Sequence, residues 1–453
     1  MANVALISCN SAADPYPVYP LGMSMVAAAA RERGHSVLQH DVLSCGEATE
    51  PSLRTVSSFH PDVVGLSLRN VDNVDSTGPV SYAAQYIELA RTLRDQNSCP
   101  IVLGGSAYSL FPEALLTLLG ADYGVVGEGE RAFVHLLDLL AADQRPKERV
   151  LREHDVSCGT ALSTATRRDP GLVSFYLEQG GLLNVQTKRG CPHHCAYCCY
   201  PVLEGSTYRF RSPKAVVDEI AMLIKQYGAD YYVMVDAVLN DGEGHYLQVA
   251  EELVRRGIRV PWLAYLRPQK FRREDVDLLR RAGLHAVEWG TDGCCDVTLA
   301  GLSKGFTWAE VEHSNRLFSQ AGIACAHFVI FGGPGETEET IREGLRNIEG
   351  LERCVVIAYA GIRILPNTPI HRRALAEGLI SRDQSLLEPV FYFSPQLERA
   401  QLHKTIAEAF ATRADCIYPP GRDAEKTRAF RTLGYREPLW TLLLNGHARR
   451  RAQ

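Results

Sequence analysis

Hydrophobic and polar residues in the first third of the chain alternate between short apolar runs and segments with helical periodicity. Short apolar runs are typical of buried strands, and a period near 3.6 residues is typical of amphipathic helices. The pattern predicts strands over residues 4–8, 36–41, 63–68, 101–103 and 123–126 and helices over residues 21–33, 82–95, 112–119 and 131–140. Strands that alternate with helices form parallel sheets. We therefore predict a doubly wound, flavodoxin-like (Rossmann) α/β domain over residues 1–145.

The same alternation resumes near residue 182 and continues through six units. Strands are predicted over residues 183–187, 231–235, 262–266, 286–290, 324–331 and within 355–365, and a helix follows each of the first five. Six successive β/α units predict a partial, open (β/α)6 TIM-like barrel over residues 181–385. The polar residues 146–180 are predicted to be a linker with at most one hairpin. Residues 386–453, which begin with Pro- and aromatic-rich stretches, are predicted to be a small α-rich C-terminal extension.

Parallel sheets bind ligands beyond the carboxyl ends of their strands, and barrels keep their active sites on that rim. In the first domain this edge is predicted to hold Cys9, Asn10, Ser67, Arg69, Asn70, Gly104, Gly105, Glu128 and Gly129. In the barrel the rim is predicted to hold the loop 191–198, Asp236, Asn240, Arg267, Asp292, Cys294, Cys295, Gly332, Gly333, Pro334 and Arg363. These two sets contain most of the candidate binding residues.

Composition and charge narrow the choice of partner and compartment. A net charge of −5 gives no argument for nucleic acid or an anionic membrane as a partner. No apolar run approaches the length of a membrane span, and the N-terminus lacks the basic region of a secretory signal. Thirteen cysteines without such a signal indicate reduced thiols and a cytoplasmic location.

The strongest chemical signal is a group of three cysteines, Cys191, Cys195 and Cys198, spaced C-x3-C-x2-C. Cysteine thiolates are the ligands of iron–sulfur clusters, which usually take four of them. Three close ligands fit a cluster that keeps one iron open for a small molecule. A zinc site is the alternative, but it needs a fourth ligand, and His193 and His194 are too close to the cysteines to complete it easily.

These cysteines, with Lys188, Arg189 and Gly190 before them and Tyr197 before the third, resemble the signature of the radical S-adenosylmethionine (SAM) enzymes. The resemblance implies that the three thiolates hold a [4Fe–4S] cluster. It also implies that the open iron chelates the amino and carboxylate groups of SAM, and that one electron then cleaves a carbon–sulfur bond. Tyr197 is expected to lie near the adenine.

Other parts of the barrel resemble the SAM-binding stretches of the same family. Residues 332–337, with Gly332, Gly333 and Pro334, resemble the Gly-x-Pro-Gly-Glu-Thr stretch after the fifth strand. Residues 288–305 resemble the fourth-strand stretch, which implies that Glu288 and Asp292 contact SAM, although the family commonly has Glu-Ser where this chain has Asp-Gly. The following residues stand at the amino-group motif or are candidate carboxylate clamps: Asp236, Asn240, Arg267 and Arg363. For the two arginines, surface packing is the alternative.

The first domain resembles the cobalamin-binding domain that precedes many radical SAM domains. The resemblance rests on residues 19–22, Gly104 with Gly105, and residues 127–130. It implies that cobalamin binds at Ser67, Arg69, Asn70, Gly104, Gly105, Glu128 and Gly129. The Asp-x-His-x-x-Gly motif, whose His binds cobalt in many cobalamin proteins, is absent, and His35 and His40 only flank a predicted strand. Both cobalamin without a protein His ligand and a domain that binds none stay open.

Two pairs of adjacent cysteines, Cys198–Cys199 and Cys294–Cys295, stand on predicted rim loops. Neighbouring cysteines rarely satisfy disulfide geometry. One interpretation is that one thiol of each pair is simply buried. The other is that Cys294 and Cys295 are catalytic and hold a thiophilic substrate such as arsenite.

The resemblance implies an enzyme that reductively cleaves SAM and transfers a SAM-derived alkyl group to a small-molecule substrate, with flavodoxin or ferredoxin as electron donor. Cobalamin-dependent methylation in natural-product or lipid biosynthesis is the expected reaction. One alternative is transfer of the 3-amino-3-carboxypropyl group to a soft acceptor such as arsenite, which forms a carbon–arsenic bond as in arsinothricin-type biosynthesis. Two alternatives of other classes are a cobalamin-binding sensor without turnover and a zinc-stabilised scaffold.

Overall fold

The computed structural model describes residues 1–46, 50–152, 168–435 and 438–444, and the chain divides into two compact units. The first unit comprises Met1–Asn73, Val80–Tyr176 and Val202–Glu204, and the second comprises Val74–Pro79, Leu177–Pro201 and Gly205–Gln453. Within the described ranges, no helix has both the length and the apolar character that a bilayer crossing requires.

The first unit is built on a parallel six-stranded sheet in the order β2-β1-β3-β4-β5-β6. The elements from the N-terminus to residue 180 are β1 (Asn3–Ser8), α1 (Leu21–Glu32), β2 (Ser36–Asp41), α2 (Glu50–Ser58), β3 (Val63–Ser67), α3 (Ala83–Gln96), β4 (Ile101–Gly104), α4 (Ser106–Leu110), α5 (Pro112–Leu118), β5 (Tyr123–Val126), α6 (Gly129–Ala141), β6 (Val150–Arg152) and α7 (Pro170–Gly180). The strand order reverses at β1, so the topological switch point lies between the carboxyl ends of β1 and β3.

The doubly wound sheet is confirmed, but the linker predicted over residues 146–180 is wrong where the structure describes it. Strand β6 extends the sheet by pairing with β5, with Gly124 opposite Val150, and α7 follows. The strand has three residues and is only partly buried, so it carries no apolar run. Its place depends on pairing with β5, which the local sequence does not reveal.

The second unit is built on a parallel seven-stranded sheet in the order β17-β14-β13-β12-β11-β10-β7. The elements from residue 183 onward are β7 (Leu183–Val185), β8 (Lys188–Arg189), α8 (Tyr200–Leu203), β9 (Arg209–Phe210), α9 (Pro213–Tyr227), β10 (Tyr232–Met234), α10 (His245–Arg255), β11 (Trp262–Leu266), α11 (Arg273–Arg281), β12 (Leu284–Asp292), α12 (Asp296–Gly301), α13 (Trp308–Gln320), β13 (Ala324–Phe331), α14 (Glu338–Gly350), β14 (Cys354–Ala360), β15 (Ile362–Arg363), α15 (Pro369–Ala376), β16 (Phe391–Tyr392), α16 (Arg399–Phe410), β17 (Cys416–Ile417) and α17 (Ala424–Thr432).

The six β/α units predicted for the barrel are confirmed, and the strand order is the linear order of an open sheet. The seventh strand, β17, comes from the predicted C-terminal extension and pairs with β14. The local sequence explains the helix starts: Ser212 caps α9 by accepting a hydrogen bond from the Ala215 N–H at 3.2 Å, and Pro213 occupies the first turn.

Alternation along β12 assigns its two faces. Trp289 packs edge-on against Phe271 and Phe318 with ring centroids 5.9 and 4.9 Å apart, so it faces helix α13 and the segment before α11. Successive strand residues point to opposite faces of a sheet. Glu288 therefore lies on the opposite face of the sheet.

Candidate functional site

The three cysteines lie on the loop 190–198, which begins where β8 ends. Strand β8 pairs antiparallel with β9, and the Cys191 N–H donates to the Gly205 carbonyl at 3.1 Å. Gly190 has φ +84°, and a Cβ on it would lie 2.0 Å from the Thr207 carbonyl oxygen. Glycine is thus required here by backbone conformation and by close approach.

The far end of the loop is fixed as well. The Ala196 N–H donates to the Leu302 carbonyl at 2.9 Å, and the Ala196 carbonyl accepts from the Ile370 N–H at 2.7 Å. The Cys198 N–H closes a turn on the Cys195 carbonyl at 3.1 Å. The cysteines therefore sit on a loop that the barrel holds from both sides.

The three cysteines of the loop are candidate ligands of a cluster. Cys191, Cys195 and Cys198 are free, and the last two are partly exposed. Burial raises the pKa of Cys198, and the charges of its neighbours, Cys191 and Cys195 among them, raise it further. Among residues 1–46, 50–152, 168–435 and 438–444, no three His, Cys, Asp or Glu side chains gather around one ion position. The thiolates of a cluster bind different irons, so they need not meet at one point.

We expect Gly190→Ala to destabilise the protein more than Gly205→Ala and to lower its iron content. Both glycines have left-handed φ values, +84° and +85°, so alanine at either costs roughly 1–2 kcal/mol of backbone strain. At Gly190 the new Cβ also meets a carbonyl oxygen, whereas nothing lies within 4 Å at Gly205. Urea midpoints and iron per chain after anaerobic reconstitution measure the difference. Equal losses in the two variants would contradict it.

A buried ionic group anchors the strand end before the loop. The Lys188 Nζ lies 3.1 Å from Asp236 Oδ2 and 3.6 Å from Asp241 Oδ2, and it donates to the Leu239 carbonyl at 2.6 Å. Asp236 also accepts from the Thr187 N–H at 2.7 Å, so both of its oxygens are engaged. We assign Asp236 a positioning role, and the SAM contact predicted for it stays a prediction.

Asn240 and Arg267 connect the end of β11 to the cysteine loop. The Asn240 side chain donates to the Arg267 carbonyl at 3.0 Å and accepts from the Arg267 N–H at 2.9 Å. The Arg267 guanidinium donates to His193 Nδ1 at 3.2 Å and to the Lys304 carbonyl, and it lies 5.2 Å from the centre of the Phe306 ring. These contacts orient the loop, and the SAM contacts predicted for both residues stay predictions.

Tyr197, Asp292 and Lys304 form a buried triad on the rim. The Tyr197 hydroxyl and the Lys304 Nζ both donate to Asp292 Oδ2 at 2.5 Å, and Lys304 Nζ lies 3.3 Å from the Tyr197 hydroxyl. Burial alone would lower the pKa of Lys304, but the Asp292 carboxylate outweighs it and the pKa is raised. Burial, with the Asp292 charge, raises the pKa of Tyr197. The triad therefore fixes the ring predicted to meet the adenine.

The glycine loop after β13 is held by its own acid. The Glu336 carboxylate accepts from the N–H groups of Gly332 and Gly333, the latter at 3.0 Å. Burial raises the pKa of Glu336 to about 7, although these bonds oppose the shift. Pro334 packs on α12, where a Cβ on Gly301 would lie 2.1 Å from its carbonyl oxygen. The SAM contacts predicted for Gly332, Gly333 and Pro334 stay predictions.

A residue that the sequence analysis missed also holds this loop. Ser394 donates its N–H to the Gly332 carbonyl at 2.8 Å and its hydroxyl to the Glu336 carbonyl at 2.7 Å. Phe393 fills the space beside Gly332 and Gly361, where added Cβ atoms would lie 3.0 and 2.4 Å from its ring. The aromatic run before Pro395 is the sequence feature that could have drawn attention to this segment. It does not indicate that the segment packs on the glycine loop.

Glu288 is placed differently from the expectation. On the face of β12 opposite Trp289, its Oε1 accepts from the Trp440 Nε1–H at 3.0 Å, and the side chain is buried. Trp440 packs beside Ala326 and Val355 on the same face. Burial raises the pKa of Glu288 to about 7, and the bond from Trp440 opposes the shift. The contact seen is therefore with the C-terminal segment, and the predicted SAM contact stays a prediction.

We expect Glu288→Gln to remove part of the pH dependence of stability. The folded pKa of about 7 exceeds the ordinary 4.5, so the acid is more readily protonated in the folded state. Its stabilising contribution is complete below pH 4.5 and is lost as the pH rises through 7, on the order of 3 kcal/mol in total. Between pH 5 and pH 8, the melting temperature of the variant should therefore fall less than that of the parent protein. The exposed Glu349→Gln serves as the control. A pH profile parallel to the parent protein would contradict this.

Arg363 was predicted to bind a carboxylate, but the structure shows its side chain bound to backbone carbonyls. Its guanidinium is buried and donates to the carbonyls of Ile364 at 2.7 Å and Leu386 at 2.6 Å. It thereby ties β15 to the segment before β16. The expected SAM contact gains no support from this arrangement, because the two guanidinium nitrogens serve backbone carbonyls.

Cys294 and Cys295 are placed as structural residues. Both are buried, and Cys295 caps α12, whose Thr298 hydroxyl accepts from the Cys294 and Cys295 N–H groups at 3.0 and 3.1 Å. A Cβ on Gly344 would lie 2.6 Å from the Cys294 Cβ, so this thiol packs on α14. Burial raises the pKa of Cys294, which keeps it a thiol. The catalytic role predicted for the pair gains no support, whereas the simple burial interpretation does.

The carboxyl edge of the first sheet leaves room beside its backbone. No atom lies within 4 Å of the position that a Cβ would take on Gly104 or Gly127. On Gly105 a Cβ would lie 2.4 Å from the Leu68 carbonyl oxygen, so this glycine packs instead. Open space against strand-end glycines fits a large flat ligand such as cobalamin.

The neighbouring predicted residues border this edge. The carbonyl of Arg69 accepts from the Ser106 hydroxyl and that of Asn70 accepts from the Tyr86 hydroxyl, both at 2.6 Å. Ser67 ends β3, and Glu128 and Gly129 begin α6. Their contacts with cobalamin stay predictions.

His35 and His40 serve as packing residues. His35 Nδ1 accepts from the Ala2 N–H at 3.3 Å, and His40 Nε2 lies 3.8 Å from the Cys45 sulfur. Burial lowers the pKa of both histidines. These contacts are packing contacts, and neither supports a role for the two histidines as cobalt ligands.

Two family profiles match the chain. The profile described as B12 binding domain matches residues 8–137, and the profile described as Radical SAM superfamily matches residues 185–348. The first range covers the strand-end glycines and the second covers the cysteine loop and the glycine loop. The first match contains β2 to β5 of the first sheet, and the second contains β10 to β13 of the second sheet.

Similar proteins include methyltransferases. A tryptophan 2-C-methyltransferase of Streptomyces laurentii is 25% identical over 441 residues, which cover 80% of this chain and 73% of that protein. A cytidylyl-2-hydroxyethylphosphonate methyltransferase of Streptomyces wedmorensis is 22% identical and covers 90% of this chain and 88% of that protein.

A solved structure matches along the whole chain. It is the radical SAM methyltransferase TsrM of Kitasatospora setae with tryptophan substrate and the SAM analog aza-SAM, with a TM-score of 0.87, 23% identity and full coverage of both chains. Another structure of that protein holds cobalamin and a [4Fe–4S] cluster and has a TM-score of 0.85. These likenesses confirm the α/β fold.

Proposed function

Since the chain belongs to the cobalamin-dependent radical SAM enzymes, we propose that it transfers the methyl group of SAM to a small-molecule substrate. The observation that carries the proposal is the cysteine loop, which presents three free thiols at the carboxyl rim of the barrel. When bound, the cluster supplies an electron for splitting SAM, and cobalamin supplies a carrier for the methyl group. Transfer by two methyltransferase relatives supports methyl as the group moved.

The residues of the chain prepare this chemistry in separate ways. Cys191, Cys195 and Cys198 would hold the cluster, and their loop keeps its shape through both anchored ends. The buried pair of Asp292 and Lys304 holds Tyr197 by its hydroxyl, which lies 2.5 Å from Asp292 Oδ2 and 3.3 Å from Lys304 Nζ. These contacts are present before any ligand arrives, so the site is preorganised for binding.

The glycine loop after β13 is also held in a fixed conformation before ligand binding. Glu336 engages the backbone N–H groups of Gly332 and Gly333 and fixes the turn that follows β13. The open space beside Gly104 and Gly127 supports cobalamin binding in the first unit. Methylation in natural-product or lipid biosynthesis is the physiological setting that we propose.

Labelled SAM tests which group is transferred. The anaerobically reconstituted full chain is reduced with SAM that carries one isotope in the methyl group and another in the aminocarboxypropyl group, and the nucleoside products are identified by mass spectrometry. 5′-Deoxyadenosine together with S-adenosylhomocysteine, which no longer carries the methyl label, supports the proposal. Methylthioadenosine would support 3-amino-3-carboxypropyl transfer, for example to arsenite, and contradict it. Intact SAM over a fully assembled cluster would indicate a sensor.

A further inference from the structure

A cavity of about 360 Å³ lies in the second unit, between the segment after β15, the strand β16 and the helix α16. Most of its lining residues are apolar, among them Ile364, Ile380, Val390, Phe391 and Phe393, but slightly more than half of its accessible surface is polar. The volume lies at the small end of the range for small-molecule sites, which are largely apolar with few polar groups. The cavity therefore has the size of a site for one compact organic molecule, and its mixed surface suits a molecule with an apolar body and a polar group.

The cavity adjoins the carboxyl rim of the barrel. Phe393, one of its walls, packs on Gly332 at the end of β13 and on Gly361 at the end of β14. Ser76 also borders the cavity, and its hydroxyl donates to the Ala360 carbonyl at the end of β14. A molecule in the cavity would thus lie next to the glycine loop that is predicted to meet SAM.

Arg399 provides a positive charge at the cavity. Its guanidinium lies 4.5 Å from the centre of the Phe393 ring and is exposed. Within the part of the chain that the structure describes, it forms no ion pair and no hydrogen bond. A guanidinium on an aromatic face presents its N–H fork to a planar anion such as a carboxylate.

His403 provides a second polar group on the same wall. Its Nδ1 is engaged by the Tyr418 hydroxyl, and its ring stacks at 6.2 Å on the Tyr418 ring. The other ring nitrogen, Nε2, has no hydrogen-bond partner among the described residues. The ring is thus held in place with one nitrogen left for a ligand.

We propose that this cavity binds the substrate of the enzyme and that the substrate is a monocarboxylate with an apolar, aromatic-sized body. The carboxylate would pair with Arg399 and His403, and the body would lie against Phe391, Phe393 and Ile364. One guanidinium balances one negative charge, which favours a monoanion over a phosphate dianion. That the bound molecule is the substrate rests on the function proposed above, whereas the binding of a monocarboxylate in the cavity does not.

Binding to matched ligand pairs tests the proposal without turnover. The reconstituted full chain with S-adenosylhomocysteine is titrated calorimetrically with arylalkanoic acids, among them 3-phenylpropanoate, indole-3-propanoate and L-tryptophan, and with the primary amide of each. We expect at least one acid to bind more tightly than its amide, and Arg399→Gln to reduce that preference roughly tenfold to a hundredfold. Leu379→Trp, which adds bulk at an exposed position of the cavity mouth, should weaken acid and amide alike.

The exposed Arg346→Gln on α14 is the matched control and should leave both affinities unchanged. No acid binding better than its amide, or an acid preference that survives Arg399→Gln, would overturn the proposal. The assay also separates the two proposals. Acid binding that depends on Arg399, without any transfer of the methyl label, would contradict the proposed function alone. Methyl transfer without a preference for the acid over its amide would contradict this inference alone.

Discussion

Cys195→Ala is expected to abolish SAM cleavage and to remove most iron and sulfide from the chain, while Cys199→Ala leaves both near the parent level. The two residues stand four positions apart, and both are partly exposed cysteines that form no disulfide. Cys195 belongs to the C-x3-C-x2-C group, whereas Cys199 follows it. A cluster with three protein ligands has no replacement for a lost thiolate.

The measurement is iron and sulfide content after anaerobic reconstitution, together with nucleoside products from SAM under reduction. Cys199→Ala controls for loss of an exposed thiol and for handling under anaerobic conditions. Cys191→Ala and Cys198→Ala should repeat the result of Cys195→Ala. SAM cleaved at the parent rate by Cys195→Ala, or iron lost equally from Cys199→Ala, would exclude the cluster assignment.

Much of the fold was predictable because its elements have strong local patterns. Strands β11 and β13 occupy the residues that were predicted, since each is an apolar run. The strands β6 and β17 have three and two residues, so pairing with a longer neighbour defines them. A local pattern cannot report a pairing partner.

The candidate site was predictable in position but less so in contacts. Arg267 follows β11, Asp292 ends β12 and Gly332 follows β13, as strand-end residues should. The partners of the side chains depend on tertiary packing. Glu288, for example, meets Trp440 from 152 residues away, and no spacing rule would find that pair. Motif spacing therefore locates a loop on the rim, and only packing decides which of its groups face a ligand.

Lys188→Met should be among the most destabilising single changes in the barrel and should also reduce cluster assembly. The Lys188 side chain is 1% exposed, and its Nζ is paired with Asp236 and Asp241, which are 1% and 0% exposed. Methionine keeps the length of the side chain but removes the charge, so two buried carboxylates lose their cation. Breaking a buried ion pair from one side typically costs about 3–5 kcal/mol. Because the cysteine loop starts two residues later, strain at this point should reach the cluster ligands.

Lys214→Met is the matched control for Lys188→Met, because Lys214 pairs with Asp218 at 2.8 Å on the surface of α9 with 76% of its side chain exposed. A surface pair of this kind contributes less than about 1 kcal/mol. Urea midpoints of the two variants, with iron content measured in parallel, give the comparison. Adding Asp236→Asn to Lys188→Met should recover part of the loss, because it removes one unpaired charge. Equal urea midpoints for Lys188→Met and Lys214→Met would contradict the anchoring role of Lys188. They would mean that water or another cation already compensates the charges of the two aspartates.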